Sequence, residues 1–178
     1  MIRTVGHSNH PIERFLALLR HAGVKLLIDV RSKPWSRRFP QFGRERLVKS
    51  LAEAGIDYTW EGKALGGLGD AYNAVASRPA FKDALDRVID RSRDTSLCLM
   101  CAEKEPLDCH RTVLVSRRLA ERGQAIEHLL ADGTVRPHAD IEETLLAGLL
   151  GGGLFENRTE HLARAYDRRE QRMKGISA

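Results

Sequence analysis

Three cysteines, Cys98, Cys101 and Cys109, fall within a dozen positions, with Glu103 between them and His110 and Arg111 directly after the last. Thiols, a carboxylate, an imidazole and a guanidinium at this density offer nucleophilic, proton-transfer or metal-binding chemistry. Cys98 and Cys101 have the Cys-x-x-Cys spacing of a redox pair, but that motif works at a helix start, where both sulfurs can meet. Leu97-Cys-Leu-Met-Cys101 reads instead as a strand, in which positions three apart face opposite sides. Cys98 is therefore expected in the core. Cys101 ends the strand and Cys109 opens the next helix, where unpaired N–H groups and the Arg111 cation favour a thiolate, with His110 or Glu103 as proton acceptor. Two thiols and an imidazole also make three of the four ligands of a zinc site, with His7 a conceivable fourth. Buried, inert cysteines with His110 and Arg111 as caps or ion-pair partners fit the same residues.

Asp29-Val-Arg31-Ser-Lys-Pro-Trp-Ser-Arg37-Arg38 is the second cluster. A carboxylate directly after an apolar run, followed by arginines on a Pro-constrained loop, suggests Asp29 orienting Arg31 or Arg37 toward an anionic ligand. Trp35 and Phe39 among these cations offer ring faces on which a nucleotide or single-stranded nucleic acid stacks. A solvated basic loop whose aromatics cover a sheet edge fits them too. The segment from Gly62 to Gly69 holds four glycines in eight residues and reads as a loop. It allows close backbone approach to a ligand but matches neither common phosphate-binding glycine pattern.

These residues need elements to place them. Short apolar runs alternate with amphipathic ones: strands at Ile2 to Val5, Leu26 to Val30, Ile56 to Trp60, Leu97 to Cys101 and Ala125 to Leu130. Helices are expected from Pro11, with Asn9 as a capping type, to Gly23; from about Gly43 to Ala54, with Leu47, Val48 and Leu51 inward; from Pro79 to about Arg91; and from Thr112 to Arg122. The pattern predicts an α/β fold: an open, mainly parallel five-stranded sheet with helices on both faces, plus a C-terminal helical extension. Ligands of such sheets bind beyond the carboxyl ends of the strands. His7, Ser8 and Asn9, Asp29 to Arg38, Lys63 to Gly69 and Cys101 to Arg111 all occupy such positions.

After the Asp132-Gly133 turn, Ile141 to Leu150 reads as a short apolar helix and Gly151 to Gly153 as a break, dividing a domain over 1–150 from a basic amphipathic tail over 151–178. In the tail Phe155, Leu162, Tyr166 and Met173 form one narrow apolar stripe. It suits docking on the parent domain or pairing in a homodimer equally.

The chain has 178 residues, 42% of them hydrophobic and 30% charged, a composition too apolar for disorder and too charged for a membrane protein. No apolar run suits a transmembrane helix or the core of a signal peptide, so a cytoplasmic protein with reduced thiols is expected. The formal net charge of +5 is unevenly spread. Seven cations from Arg31 to Lys49 face Glu45 alone, a net +6; six cations from Asn157 to Lys174 face three acids, a net +3; the remainder carries −4.

Thr4-Val-Gly-His-Ser-Asn9, Asp29 to Arg37, Tyr58 with Leu65-Gly66-Gly67, and Cys101-Ala-Glu103 with Cys109-His-Arg111 together resemble the family catalogued as domain of unknown function 488. The resemblance runs from about Ile2 to Leu130 and implies an α/β fold and a bacterial or archaeal source; no established reaction comes with it. A fainter similarity joins rhodaneses and thiol phosphatases, which close an anion-cradling loop between a cysteine and an arginine. Nine residues between Cys101 and Arg111, and one between Cys109 and Arg111, both depart from their loop, which puts their mechanism in doubt.

The leading expectation is an enzyme-like domain binding an anionic, nucleotide or phosphate-bearing ligand. In it Cys101, Cys109, His110, Glu103 and Asp29 serve chemistry, and His7, Ser8, Asn9, Arg31, Arg37, Gly66, Gly67 and Arg111 hold the ligand. A nucleic-acid-binding module without catalysis and a metal-holding structural domain are the alternatives. Neither substrate nor cofactor is named by these residues.

Overall fold

A computed structural model describes residues 1–148 and 157–175. The five expected strands form, as β1 (Ile2–Gly6), β2 (Leu26–Asp29), β3 (Asp57–Trp60), β4 (Leu97–Cys101) and β5 (Ile126–Leu129), and all pair in parallel. A sixth, β6 (Val135–Pro137), corrects the count: it pairs antiparallel with β5 across the Asp132-Gly133 turn, giving the order β3-β2-β4-β1-β5-β6. Three residues ending in proline carry too little strand signal to be read in advance, and an edge is where a sheet tolerates proline.

Helices cover both faces. Phe15 and Leu19 of α1 (Ile12–His21) and Leu47 and Leu51 of α2 (Arg44–Glu53) pack with Val5, Leu27, Cys98 and Met100 on one side. Val48, expected inward, is 38% exposed. The opposite face carries α4 (Tyr72–Ser77), α5 (Pro79–Asp94), a π-helical stretch Arg111–Ser116 running into α6 (Arg117–Ala120), and α7 (His138–Ala147). Two expectations change here. The glycine-rich segment begins with a helical turn, α3 (Gly62–Leu65), closed by Ala64 and Leu65 N–H groups on the Glu61 carbonyl. The reason is burial: Leu65 is wholly enclosed in the core. α4 has no counterpart in the sequence reading, because six residues give no usable periodicity.

α8 (Arg158–Met173) packs on its own domain through Leu162, Tyr166 and Met173, the first of the two uses of its stripe. Phe155, the glycine break and the end of the Ile141 to Leu150 helix lie outside the described residues. Tyr166 is 1% exposed, and its hydroxyl donates to Glu142 Oε1 at 3.0 Å and meets His138 Nε2 at 3.0 Å. His138 Nδ1 meets His128 Nε2 at 2.9 Å, and His128 Nδ1 lies 2.8 Å from Thr4 Oγ1 in the central strand. One orientation satisfies the whole relay: each group donates to the next, from Thr4 to the Glu142 carboxylate. Charges of α8 meet opposite charges of the domain body: Arg158 pairs with Glu143, Arg169 with Asp108, and, in the reverse sense, Asp167 with Arg117. The +3 tail on a −4 body is thus a complementary contact.

No helix among the described residues is long and apolar enough to cross a membrane.

Candidate functional site

The chain leaves β1 toward β2 on one side and leaves β4 toward β5 on the other, so these neighbouring carboxyl ends flank the point where the winding reverses. Beyond the strands the ladder continues: His7 N–H donates to the Cys101 carbonyl and Ser8 N–H to the Ala102 carbonyl, both at 2.8 Å. The loop after β4 then folds over Gly6, where a Cβ would lie 1.8 Å from the Glu103 carbonyl oxygen. Only glycine admits that approach.

Arg111 secures this loop. It is fully buried, and its guanidinium donates to the carbonyls of Glu103 at 2.6 Å and Lys104 at 3.2 Å. An anion-contacting role was expected for it; its contacts are those of an internal clamp. The Glu103 side chain is thereby delivered to both thiols, with Oε2 at 3.0 Å from Cys101 Sγ and 2.9 Å from Cys109 Sγ. His110 Nδ1 stands 3.4 Å from Cys101 Sγ, and the Arg111 N–H donates to Cys109 Sγ at 3.4 Å. His110 Nε2 lies 2.9 Å from the Val30 carbonyl. A carbonyl only accepts, so Nε2 carries the proton and Nδ1 presents its lone pair, or a second proton, to the sulfurs. Cys98 lies on the other sheet face, fully buried, with its thiol pushed up by burial.

Charge settles unequally on the two facing thiols. Burial would raise Cys109, but the hydrogen bond from Cys101, the Arg111 charge and His110 outweigh it and hold this thiol well below its ordinary range. Burial and the neighbouring Cys109 push Cys101 well up. Burial lowers His110, yet its bond to Cys109 and the thiolate charge leave it raised overall. Burial and Cys109 also raise Glu103. Negative charge is thus favoured on Cys109, beside His110, over Cys101.

Gly67 touches this centre through packing: a Cβ there would lie 2.4 Å from His110 Cβ and 2.5 Å from its Cγ. Gly66 is pressed against Ser32 and the Gly62 carbonyl. Both glycines act as spacers between loops, and Gly67 also lies on the cavity that opens over these groups. Gly67→Ala is expected to displace the His110 ring from Val30 and destabilise the domain by about 1–3 kcal/mol. Urea unfolding and the His110 ring proton shifts would report both effects.

Asp29, at the end of β2, is fully buried and holds Arg31 through Nε at 2.9 Å and Nη2 at 2.6 Å, while Tyr58 donates to the same carboxylate at 2.9 Å. Arg31 Nη2 also donates to the Phe42 carbonyl at 2.9 Å, and Nη1 reaches His7 Nε2 at 3.2 Å. His7 Nδ1 faces the Ser8 carbonyl at 2.9 Å, so it donates there and its lone pair points at Arg31. This corrects the conceivable zinc set: His7 is turned away from the thiols, and Glu103 completes the group of four potential ligands with Cys101, Cys109 and His110.

A cavity of about 1040 Å³ opens over these groups. Cys101, Glu103 and His110 form part of its lining, with His7 and Arg31 beside them. The basic loop supplies Lys33, Trp35, Arg38 and Phe39, and α8 closes the far side with Met173 and Lys174. Tyr72 and Lys174 escaped the sequence reading; only Met173, in the apolar stripe, signalled that α8 would reach this edge. Asp29, Cys109 and Arg111 sit behind the wall, and neither Ser8 nor Asn9 lines it. Arg37 also stays outside, with its guanidinium over the Trp35 ring, 5.7 Å from the centroid.

No curated protein and no solved structure matches the chain. A family model described as Domain of unknown function DUF488 matches residues 11–118, a narrower span than the resemblance suggested. That span includes Asp29, Arg31, both facing thiols, Glu103 and His110, and it covers more than half of the sequence; the chain belongs to this family of unknown function.

Proposed function

We propose that the cavity is the site of an enzyme-like domain for a small anionic ligand carrying a ring, of the nucleotide or phosphate-ester class. The anionic end would lie toward Lys33 and Arg38, and the reacting end over Cys101, Glu103 and His110. The observation that carries this reading is Trp35, a tryptophan 54% exposed on the cavity wall between cations that have no carboxylate partner among the described residues. An open indole beside Lys33 and Arg38 offers stacking and charge together. Arg31 contributes by fixing the loop's starting point, since Asp29 and Phe42 already hold its guanidinium.

Titration of tryptophan fluorescence with adenosine monophosphate and with inorganic pyrophosphate, at low salt and with metal chelated, tests this. Saturable quenching is expected, with Arg38→Ala weakening binding about tenfold through one lost charge-assisted hydrogen bond. The absence of any fluorescence or calorimetric response at millimolar ligand would overturn it. Oligonucleotides binding far more tightly than the mononucleotide, with a steep salt slope, would instead favour a nucleic-acid surface. Against that surface stand the ion pairs that commit Arg158, Arg169 and Lys174 of the basic tail to carboxylates of this chain.

A further inference from the structure

The geometry points to a metal site at the floor of this cavity, holding one zinc-class divalent ion through Cys101 Sγ, Cys109 Sγ, His110 Nδ1 and a Glu103 oxygen. All four donor atoms lie within 4.8 Å of one another. A tetrahedral ion with bonds of about 2.0–2.3 Å needs donors about 3.3–3.8 Å apart. Donor pairs at 2.9, 3.0 and 3.4 Å lie within about 0.5 Å of that range, and the widest pair, no more than 4.8 Å apart, must close by about 1 Å. Chemistry narrows the ion: two sulfurs and an imidazole suit zinc or ferrous iron and disfavour magnesium and calcium, which take oxygen ligands.

Three features beyond the donors support occupancy. His110 is oriented as metal-bound histidines are, its remote nitrogen donating to the Val30 carbonyl and its near nitrogen left for the ion. The Arg111 clamp fixes the Glu103 backbone, and the Gly6 and Gly67 approaches leave this loop and the His110 ring little room to rearrange. Charge also balances. Two thiolates and a carboxylate around a divalent ion leave one negative charge beside Arg111, which is fully buried and has no carboxylate partner among the described residues. Binding releases the remaining thiol and imidazole protons to solvent, and nothing is oxidised or reduced. Glu103 is the exposed member of the set, and at the cavity lining it is the ligand that an incoming water or anionic group can displace. The site is thus not closed like a purely structural zinc centre.

The test uses the full chain, stripped by chelator under reducing conditions and titrated with Co²⁺ and then Zn²⁺. One equivalent of Co²⁺ is expected to produce thiolate charge-transfer absorption and the visible bands of a tetrahedral site, bleached by one equivalent of Zn²⁺. Cys98→Ser should leave these spectra unchanged. Cys109→Ser should weaken binding about 100-fold or more, and Glu103→Gln should shift the visible bands while keeping the thiolate absorption. Folded, stripped wild-type protein that shows no such bands with micromolar Co²⁺ would overturn the proposal, as would bands that survive in both Cys101→Ser and Cys109→Ser. Because the nucleotide titration is made without metal, either reading can fail while the other stands.

Discussion

Asp29→Ala is expected to cost about 3–5 kcal/mol of stability, because it leaves the Arg31 guanidinium buried without its counter-charge. Arg31 is 5% exposed and Asp29 fully buried, so water cannot substitute for the lost carboxylate. The same change removes the acceptor for the Arg31 backbone N–H at 3.0 Å and for the Tyr58 hydroxyl at 2.9 Å. Urea unfolding of the two proteins measures the difference, and a loss below about 1 kcal/mol would show that Arg31 finds another partner. Adding Arg31→Met to Asp29→Leu should recover much of the loss, since an apolar pair avoids the desolvation of two charges. Recovery would assign the pair to specifying the loop after β2 more than to net stability.

Acid should destabilise the protein well before its surface carboxylates protonate. His7 is lowered from 6.5 to about 4, by burial first and the Arg31 charge next, with the Ser8 bond opposing. His128, fully buried against His138, is lowered well below the ordinary range by burial and by that neighbour. Both stay neutral in the fold while the unfolded chain takes up protons below pH 6.5, so the unfolded state binds more protons and stability falls with pH. For His7 the loss accumulates from about pH 6.5 to about 4 and amounts to about 3 kcal/mol. His110 is raised, so its contribution is complete below pH 6.5 and fades above it, outside this window. Glu103, also raised, opposes the trend. Comparing wild type with His7→Asn isolates the effect: unfolding midpoints of the variant between pH 7 and 4.5 should slope less. Equal slopes would mean that His7 titrates normally in the fold.

The parallel strands and the two helical layers were legible because buried runs such as Leu26 to Ile28 and faces such as Phe15 with Leu19 repeat at the period of their element. The separation of Cys98 from Cys101 followed from strand alternation alone. What escaped was direction over less than a turn. Arg111 and Arg31 carry the residue type and the edge position of anion binders, yet their guanidiniums close on carbonyls and on Asp29. No local pattern reports which way a long side chain folds back. Glycine was ambiguous for the same reason: Gly66 and Gly67 signal a close approach without naming what approaches, here Ser32 and His110. For α8, the charge count held the clue that periodicity lacked, since a basic tail and an acidic body already describe two halves of a contact.

The π-helical stretch places the site by its phase. From Arg111 to Ser116 the turn is widened, with the Arg117 N–H reaching back to the Thr112 carbonyl and the Ser116 hydroxyl to the Arg111 carbonyl at 2.7 Å. Such a turn behaves as an ordinary helix with one residue too many. Each residue of an α-helix turns the chain by about 100°. Shortening the stretch by one would therefore preserve α6 and its contacts while swinging Cys109 and His110 about a quarter-turn away from Cys101. The extra residue acts as a rotational offset between a scaffold indifferent to it and a donor set that exists only at one angular setting.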